Sequence, residues 1–520
     1  MLNSIKNSKV WIPIAIFLFA FLIRVSYIDL NIYVADLVQQ IDYADRIASG
    51  DFYLGGMVPA QGSFITQQTF GPFHFYLLSL TRIFSLDYLY PSLLIVLISS
   101  LTVLLTYFFV NRFFSFRVAL LSSILFLVSS WHVLLYSKYP WATNYLPIII
   151  ILIFICLFMV LYEGRHWFLL PLAFLLGIST HPYIVGLQIF PVVFLALLPH
   201  FRKIKFKILF LAFLIFLLTF MPFVINSYLI GSNPVKETFD VLFYTQSALR
   251  ENSFLQNIVE VLAMPFIFSS GYFGGYLTTF DIFEYKPLNY FYDYVPFFFA
   301  FVFLLLTLYF FVVYVLKSER FVKVFSKFVI LILWLIIPII FMLVRNKNVQ
   351  PQNLIVLFPV FFIIISISFF SVYDKLSKNW KKLFAFFISF FILSQVFFIF
   401  SFYSYLDRGG YADATYTTPY KYKLQAVKYI INDNGEPVVF MLQQSRFEEY
   451  DKLFASFNYP IQHVFVDSPD DLKYENGYFL LDLYPNDDYS NELRNVVNQF
   501  REDNEDSLYK SGQLEVFKLG

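Results

Sequence analysis

The chain has 520 residues, of which 59% are hydrophobic, 22% aromatic and only 14% charged, with a formal net charge of +1. Soluble domains carry about a quarter charged residues, so the composition excludes an ordinary soluble protein and points to a membrane protein. The near-zero net charge gives no whole-protein field for nucleic acid, and the single Cys156 cannot form an intrachain disulfide.

Lys6 and Lys9 precede an apolar run at 11–28 that no small-residue cleavage site follows, which predicts an uncleaved signal-anchor span. Further runs long enough to cross a bilayer lie at 90–110, 118–136, 144–162, 183–199, 207–229, 295–316, 323–344, 353–373 and 382–404. The run at 167–180 is shorter but lies between two firm spans without a polar interruption, and is counted with them. Pro72–Phe84 is as short and Arg82 interrupts it, so it is expected to lie in the interface.

Eleven spans with the N-terminus inside leave most basic loops cytoplasmic: Arg112/Arg117, Arg165, Arg202–Lys207, Lys317–Lys323 and Lys375–Lys382. The short outer loops then hold few cations, namely Lys138, Arg345 and Lys347. The expected fold is therefore an α-helical polytopic membrane protein of about 11 transmembrane helices, its membrane part covering 1–404 with outer loops 29–89 and 230–294. The tail, 405–520, carries twenty acidic against eleven basic residues. Its β-type runs at Pro437–Leu442, His463–Val466, Tyr478–Leu483 and Leu514–Leu519 alternate with helical patterns at Tyr420–Asn432 and Asn491–Glu505. That alternation predicts a small soluble α/β domain on the outer face.

The chemistry is sought in the first outer loop. Asp36 opens a helical pattern in which Leu37, Ile41, Ala44 and Ala48 share a face, with Gln39 three residues on and Gly50 as the stop. Two readings of Asp36 stand side by side: an N-cap completed by Gln39, or a carboxylate at the membrane surface acting as a general base on an acceptor hydroxyl. Asp42 and Arg46, four apart, are expected to pair on a wet face. Gly71-Pro72 suits a sharp turn into a helix that Phe73, Phe75, Tyr76 and Leu77 would anchor among headgroups, with His74 expected to be solvated. Three further outer rims carry polar groups: Lys138 and Asn144, then His181 in Thr180-His181-Pro182, then Arg345 and Lys347 ahead of Gln350–Asn353. Each is read either as a contact to sugar or phosphate or as a local cap or headgroup contact. No zinc-spaced His/Cys cluster, Gly-rich phosphate loop or Gly-x-Ser-x-Gly elbow appears, which argues against nucleotide-driven or serine-hydrolase chemistry.

In their order around the spans, these segments resemble the C-type glycosyltransferases, multi-span enzymes that use polyprenyl-phosphate sugars. The nearest branches are the relatives of protein O-mannosyltransferases and of the lipid A aminoarabinose transferase. The resemblance is carried by Arg24, Asp36, Ala44, Gly50-Asp51, Gly71 to Leu78, Arg112/Arg117, Trp141 to Pro147, Thr180-His181-Pro182 and Asn353 to Pro359. Leu37, where many members have Glu, and Phe70-Gly71, where some have Glu-Lys, depart from the pattern.

The resemblance implies that Asp36 is the catalytic base and that membrane-parallel helices form the first loop; the transfer expected is an inverting one. It also implies that Arg345, Lys347, Lys138, His181 and Asn144 bind donor or phosphate, with Asp42, Gly71, Pro72, His74 and Tyr76 positioning the acceptor or the loop. The implied partners are a polyprenyl-phosphate-linked sugar, a glycan, lipid or protein acceptor, and membrane lipids, with no nucleic acid. No cofactor is firmly implied, and a divalent metal stays open. The implied place is the cytoplasmic membrane, with transfer on its outer face. The alternatives are a glycan polymerase or ligase and, less favoured, a lipid or solute transporter; the latter would be expected to show repeats and midplane charges.

Overall fold

The computed structural model describes residues 2–53, 56–58, 68–182, 184–229, 261–263, 265–267, 286–316, 327–345, 351–408, 418–433, 438–441, 447–457, 459, 461–465, 477–482, 509–511 and 514–519. The helices that concern the site are α1 (Leu2–Val25), α2 (Ala35–Ala48), α3 (Pro72–Arg82), α4 (Leu89–Phe113), α5 (Phe116–Val128) and α6 (Ser130–Leu135). After them come α7 (Leu146–Glu163), α8 (Leu169–Ser179), α9 (Ile189–Leu197), α10 (Phe206–Leu229), α11 (Lys286–Phe310), α12 (Lys327–Arg345), α13 (Phe358–Tyr373) and α14 (Lys378–Asp407). The C-terminal part adds α15 (Tyr420–Asn432) and α16 (Phe447–Ser456).

Among the described residues, seven helical stretches are long and apolar enough to cross a membrane, and four shorter apolar helices fall at other expected spans. The chain is thus a multi-pass helical membrane protein. The stretches Gln352–Tyr373 and Ala142–Glu163 are the most enclosed of the seven, with 83% and 72% of their most apolar window buried, whereas 11% of that window is buried in Phe206–Asn226. The outermost helix accordingly turns Phe206, Phe210, Phe213 and Leu218 outward, the surface a bilayer would cover. α3 is 11 residues long, about 16 Å at 1.5 Å per residue, and so is too short to cross a core of about 30 Å.

The expected single span at 118–136 is two helices. Ser129, with φ −56° and ψ 107°, leaves the helical region between α5 and α6. In an apolar layer the freed backbone groups need internal partners. The Leu127 carbonyl accepts from Arg24 Nη1 at 3.3 Å, and the Ser130 N–H donates to Gln395 Oε1 at 3.3 Å, reinforced by Ser130 Oγ at 2.7 Å. Trp334 of α12 fills the centre, its ring stacked on Phe154 and its Nε1 donating to the Val356 carbonyl at 2.9 Å.

In the C-terminal part, β3 (Val438–Met441), β4 (Gln462–Phe465), β5 (Gly477–Asp482), β6 (Tyr509–Ser511) and β7 (Leu514–Leu519) form one sheet in the order β4-β3-β5-β7-β6. β3 pairs in parallel with β4 and β5, whereas β7 is antiparallel to β5 and β6. The expected pattern at Asn491–Glu505 lies outside the described residues. In the first loop, β1 (Gly56–Val58) and β2 (Gln68–Phe70), which the sequence pattern did not flag, pair antiparallel.

α8 and α10 meet where Gly177 faces Thr219: a Cβ at Gly177 would overlap the Thr219 hydroxyl and lie 2.8 Å from its Cβ. Gly177→Ala is therefore expected to destabilise the protein by about 1–3 kcal/mol through overpacking, read as a lowered Tm in detergent. Thr219→Ala in the same background should recover part of the loss.

Candidate functional site

The N-cap of α2 falls two residues earlier than the capping pattern suggests. Val34 is its N-cap, extended at φ −132° and ψ 158°, and no side chain caps it. The Leu37 and Val38 amides donate to the Val34 carbonyl at 2.9 and 3.1 Å. Asp36 therefore sits inside the first turn, and the cap position assigned to it belongs to Val34; its side chain lies outside the described residues. The expected stop does form. Gly50 takes φ 110°, its amide donating to Ile47 and that of Asp51 to Arg46, both at 3.0 Å, the paired bonds that close a helix on a left-handed glycine.

Gly71 and Pro72 begin α3 as expected, Gly71 as N-cap and Pro72 in the first turn. The glycine is required by a neighbour the sequence did not reveal. The Gly71 amide donates to the His181 carbonyl at 3.0 Å, and a Cβ on Gly71 would lie 2.7 Å from His181 Cβ. Two rims read separately from the sequence, Phe70–Leu78 and Thr180–Pro182, thus form one wall. His181 is buried, donates from Nε2 to the Thr219 carbonyl at 2.7 Å, and has no partner for Nδ1 among the described residues.

His74 is not solvated. It is 0% exposed and donates from Nε2 to Gln40 Oε1 at 2.6 Å, with its ring 5.4 Å from that of Tyr145. Gln40 follows Asp36 by four residues, one turn of α2. The short turns Ala142–Tyr145, Ile184–Gln188 and Pro351–Leu357 pack on one another beside this wall. The structure therefore gathers α2 and the start of α3 with three short turns, and within this cluster the Tyr145 hydroxyl and Gln188 Oε1 are buried without a described partner.

The other expected site residues divide. Lys138 is buried, donates to the Ser26 carbonyl and lies 3.7 Å over the Tyr403 ring; burial holds its ammonium well below the usual lysine range. Asn144 is buried and donates from Nδ2 to the Tyr139 carbonyl at 2.7 Å. Both polar heads are engaged in building the rim. Tyr76 accepts from the Tyr53 amide at 3.3 Å. Arg345 ends α12, with its side chain outside the described residues, and Lys347 lies outside them altogether.

Asp42 forms its ion pair with Lys452 of α16 rather than with the expected Arg46. Among the described residues, no group of three or more His, Cys, Asp or Glu side chains is placed to hold a metal. The carboxylate of Asp45 is committed to Arg82 at 2.5 Å and Lys452 at 2.7 Å.

Sequence reasoning missed Gln40, Asp45, Lys423 and Lys452. Gln40 and Lys452 carried no local signal. Lys423 did, because it shares the apolar face of α15 with Ala426, Val427 and Ile430, an expensive place for an unpaired ammonium.

No family model matches the sequence, and no curated protein does. Solved structures do match in fold. ArnT from Cupriavidus metallidurans bound to undecaprenyl phosphate is similar at TM-score 0.56 and 11% identity, over 98% of this chain and 98% of that one. Its apo state gives TM-score 0.52 and 11% identity over 99% and 98%. The Archaeoglobus fulgidus oligosaccharyltransferase tethered to an acceptor peptide gives 0.51 and 12% over 91% of this chain and 69% of that one.

Burial pushes the His74 imidazole down to about 3 and His181 to about 4, from an ordinary 6.5. The unfolded chain takes up these protons near pH 6.5 while the folded chain refuses them, so their stabilisation is whole above 6.5 and declines as pH falls toward 3. Tm in detergent is expected to drop between pH 6.5 and about pH 4.5, less steeply in His74→Gln than in the unaltered protein.

Proposed function

We propose that the chain is a membrane glycosyltransferase that moves a sugar from a polyprenyl-phosphate donor to a lipid, glycan or protein acceptor on the outer face of the cytoplasmic membrane. The observation that carries this reading is the fold likeness, over 98% of both chains, to an ArnT that binds undecaprenyl phosphate. In support, α2, which carries Asp36, packs on α3, whose His74 meets both Gln40 of α2 and the Tyr145 ring. The proposed topology is eleven spans with a cytoplasmic N-terminus and with 405–520 as an outer α/β domain.

In the proposed step the acceptor oxygen forms a bond to the anomeric carbon as the bond from that carbon to the phosphate oxygen breaks. The acceptor proton passes to the Asp36 carboxylate, and the bonding pair leaves with the polyprenyl phosphate. Attack opposite the leaving group inverts the anomeric centre. The developing phosphate charge calls for fixed cations, a role assigned to Arg345 and Lys347. Lys138 and Asn144, whose polar groups are already engaged, are assigned to the shape of the donor rim, and His181 to donor binding with its remaining ring nitrogen.

The test uses membranes supplied with a radiolabelled polyprenyl-phosphate monosaccharide. Asp36→Asn is expected to lower kcat by about 10²–10⁴-fold, the usual worth of a positioned base, with the donor KM kept. Wild-type transfer by a folded Asp36→Asn protein would remove the base assignment. Arg345→Ala is expected to raise the donor KM. Use of a diphosphate-linked oligosaccharide in place of the monosaccharide carrier would favour the polymerase or ligase reading.

A further inference from the structure

We infer that Lys423 and Lys452 of the C-terminal part are positioning residues for the first loop, holding α2, and with it Asp36, in its working place. This rests on the glycosyltransferase reading above. Lys423 is 0% exposed, and its ammonium has three acceptors. It meets the Glu449 carboxylate, lies 3.5 Å from Asp482 Oδ2, and donates at 3.0 Å to the carbonyl of Tyr33. Tyr33 immediately precedes the N-cap of α2 and stands three residues before Asp36.

The network behind that bond reaches the sheet. Asp482 on β5 also accepts from Thr418 Oγ1 at 2.6 Å and from the Tyr450 hydroxyl at 2.8 Å. Thr418 and Tyr450 thus hold the Asp482 carboxylate beside the ammonium, and removal of the cation would leave two buried carboxylates without their counter-charge. One ammonium proton is therefore held on a carbonyl of a different part of the chain.

Two more tethers act on the same segment. The Tyr420 amide donates to the Asn31 carbonyl at 2.8 Å, and the Tyr33 ring packs against both Tyr88 and Tyr420, at 4.9 and 5.3 Å. Farther along α2, Lys452 bridges Asp42 and Asp45, residues on consecutive turns that point to the same partner. α2 is thus held just before its first turn and again near its end, both times by lysines from the C-terminal part. Sub-ångström placement decides the rate of a proton transfer, and a shift of about 1 Å can cost on the order of 10²-fold.

The experiment compares full-length Lys423→Met and Lys452→Gln with the unaltered protein, in membranes for transfer and in detergent for hydrogen exchange. Expected are a fall in kcat of about 10–100-fold with donor KM within about twofold, and faster amide exchange in α2. Arginine at either position should restore most of both. Lys423→Met leaves Glu449 and Asp482 without their cation and can fail to fold; Lys452, partly exposed, is free of that problem, so Lys452→Gln decides in that case. Unchanged kcat in folded Lys452→Gln, or faster exchange with no change in kcat, overturns the inference. Absence of transfer by the unaltered protein on any lipid-phosphate sugar counts against the function reading, and α2 exchange then still accepts or rejects the tether.

Discussion

A backbone group that leaves a helix at the depth of an apolar layer finds no water and has to be met by another part of the protein. The part of this molecule around α2 and α3 is organised by that demand. The break at Ser129 frees a carbonyl and an amide, which Arg24 and Gln395 meet from two other helices. The start of α3 leaves the Gly71 amide free, and the His181 carbonyl meets it. Asn31 turns from α1 toward α2 with its side chain on Ser92 and on the Lys138 carbonyl. Each repair joins segments far apart in sequence, so the rims become one surface because their loose ends are each other's partners.

This explains why so few polar side chains there are idle. Lys138 and Asn144 look like ligand contacts when the rim is read as a string of exposed residues, yet both are buried on carbonyls. A cation at a membrane rim can serve the backbone as well as a phosphate, and residue type alone does not separate the two. The Tyr145 hydroxyl, His181 Nδ1 and Gln188 Oε1 are among the buried atoms of the cluster without a described partner.

The parts legible in the sequence were those set by local rules. α15 spans Tyr420–Asn432 as its periodicity requires, Gly50 stops α2, and Pro72 opens α3. Each follows from residues within a turn or two. The start of α2 was misread because Asp-x-x-Gln looks like a capping box, whereas the chain enters extended through Val34, with Tyr33 pinned from outside. The partner of Asp42 was misread for a related reason. Arg46 satisfies the local spacing rule, but Lys452, 410 residues away, is brought to the same carboxylate by the fold. His74 followed the usual behaviour of interfacial histidines until packing against Gln40 and Tyr145 removed it from water.

Trp334 carries a consequence of a different kind. Its indole is fully buried against Phe154, and its N–H is bonded to the Val356 carbonyl in the turn Pro351–Leu357 that abuts the cluster. The emission of an indole depends on whether its N–H is bonded and on what lies over its ring, so the protein carries its own optical reporter on that turn. Of the six tryptophans, this one would register a displacement of the turn when the cluster fills, without any label being added near the chemistry.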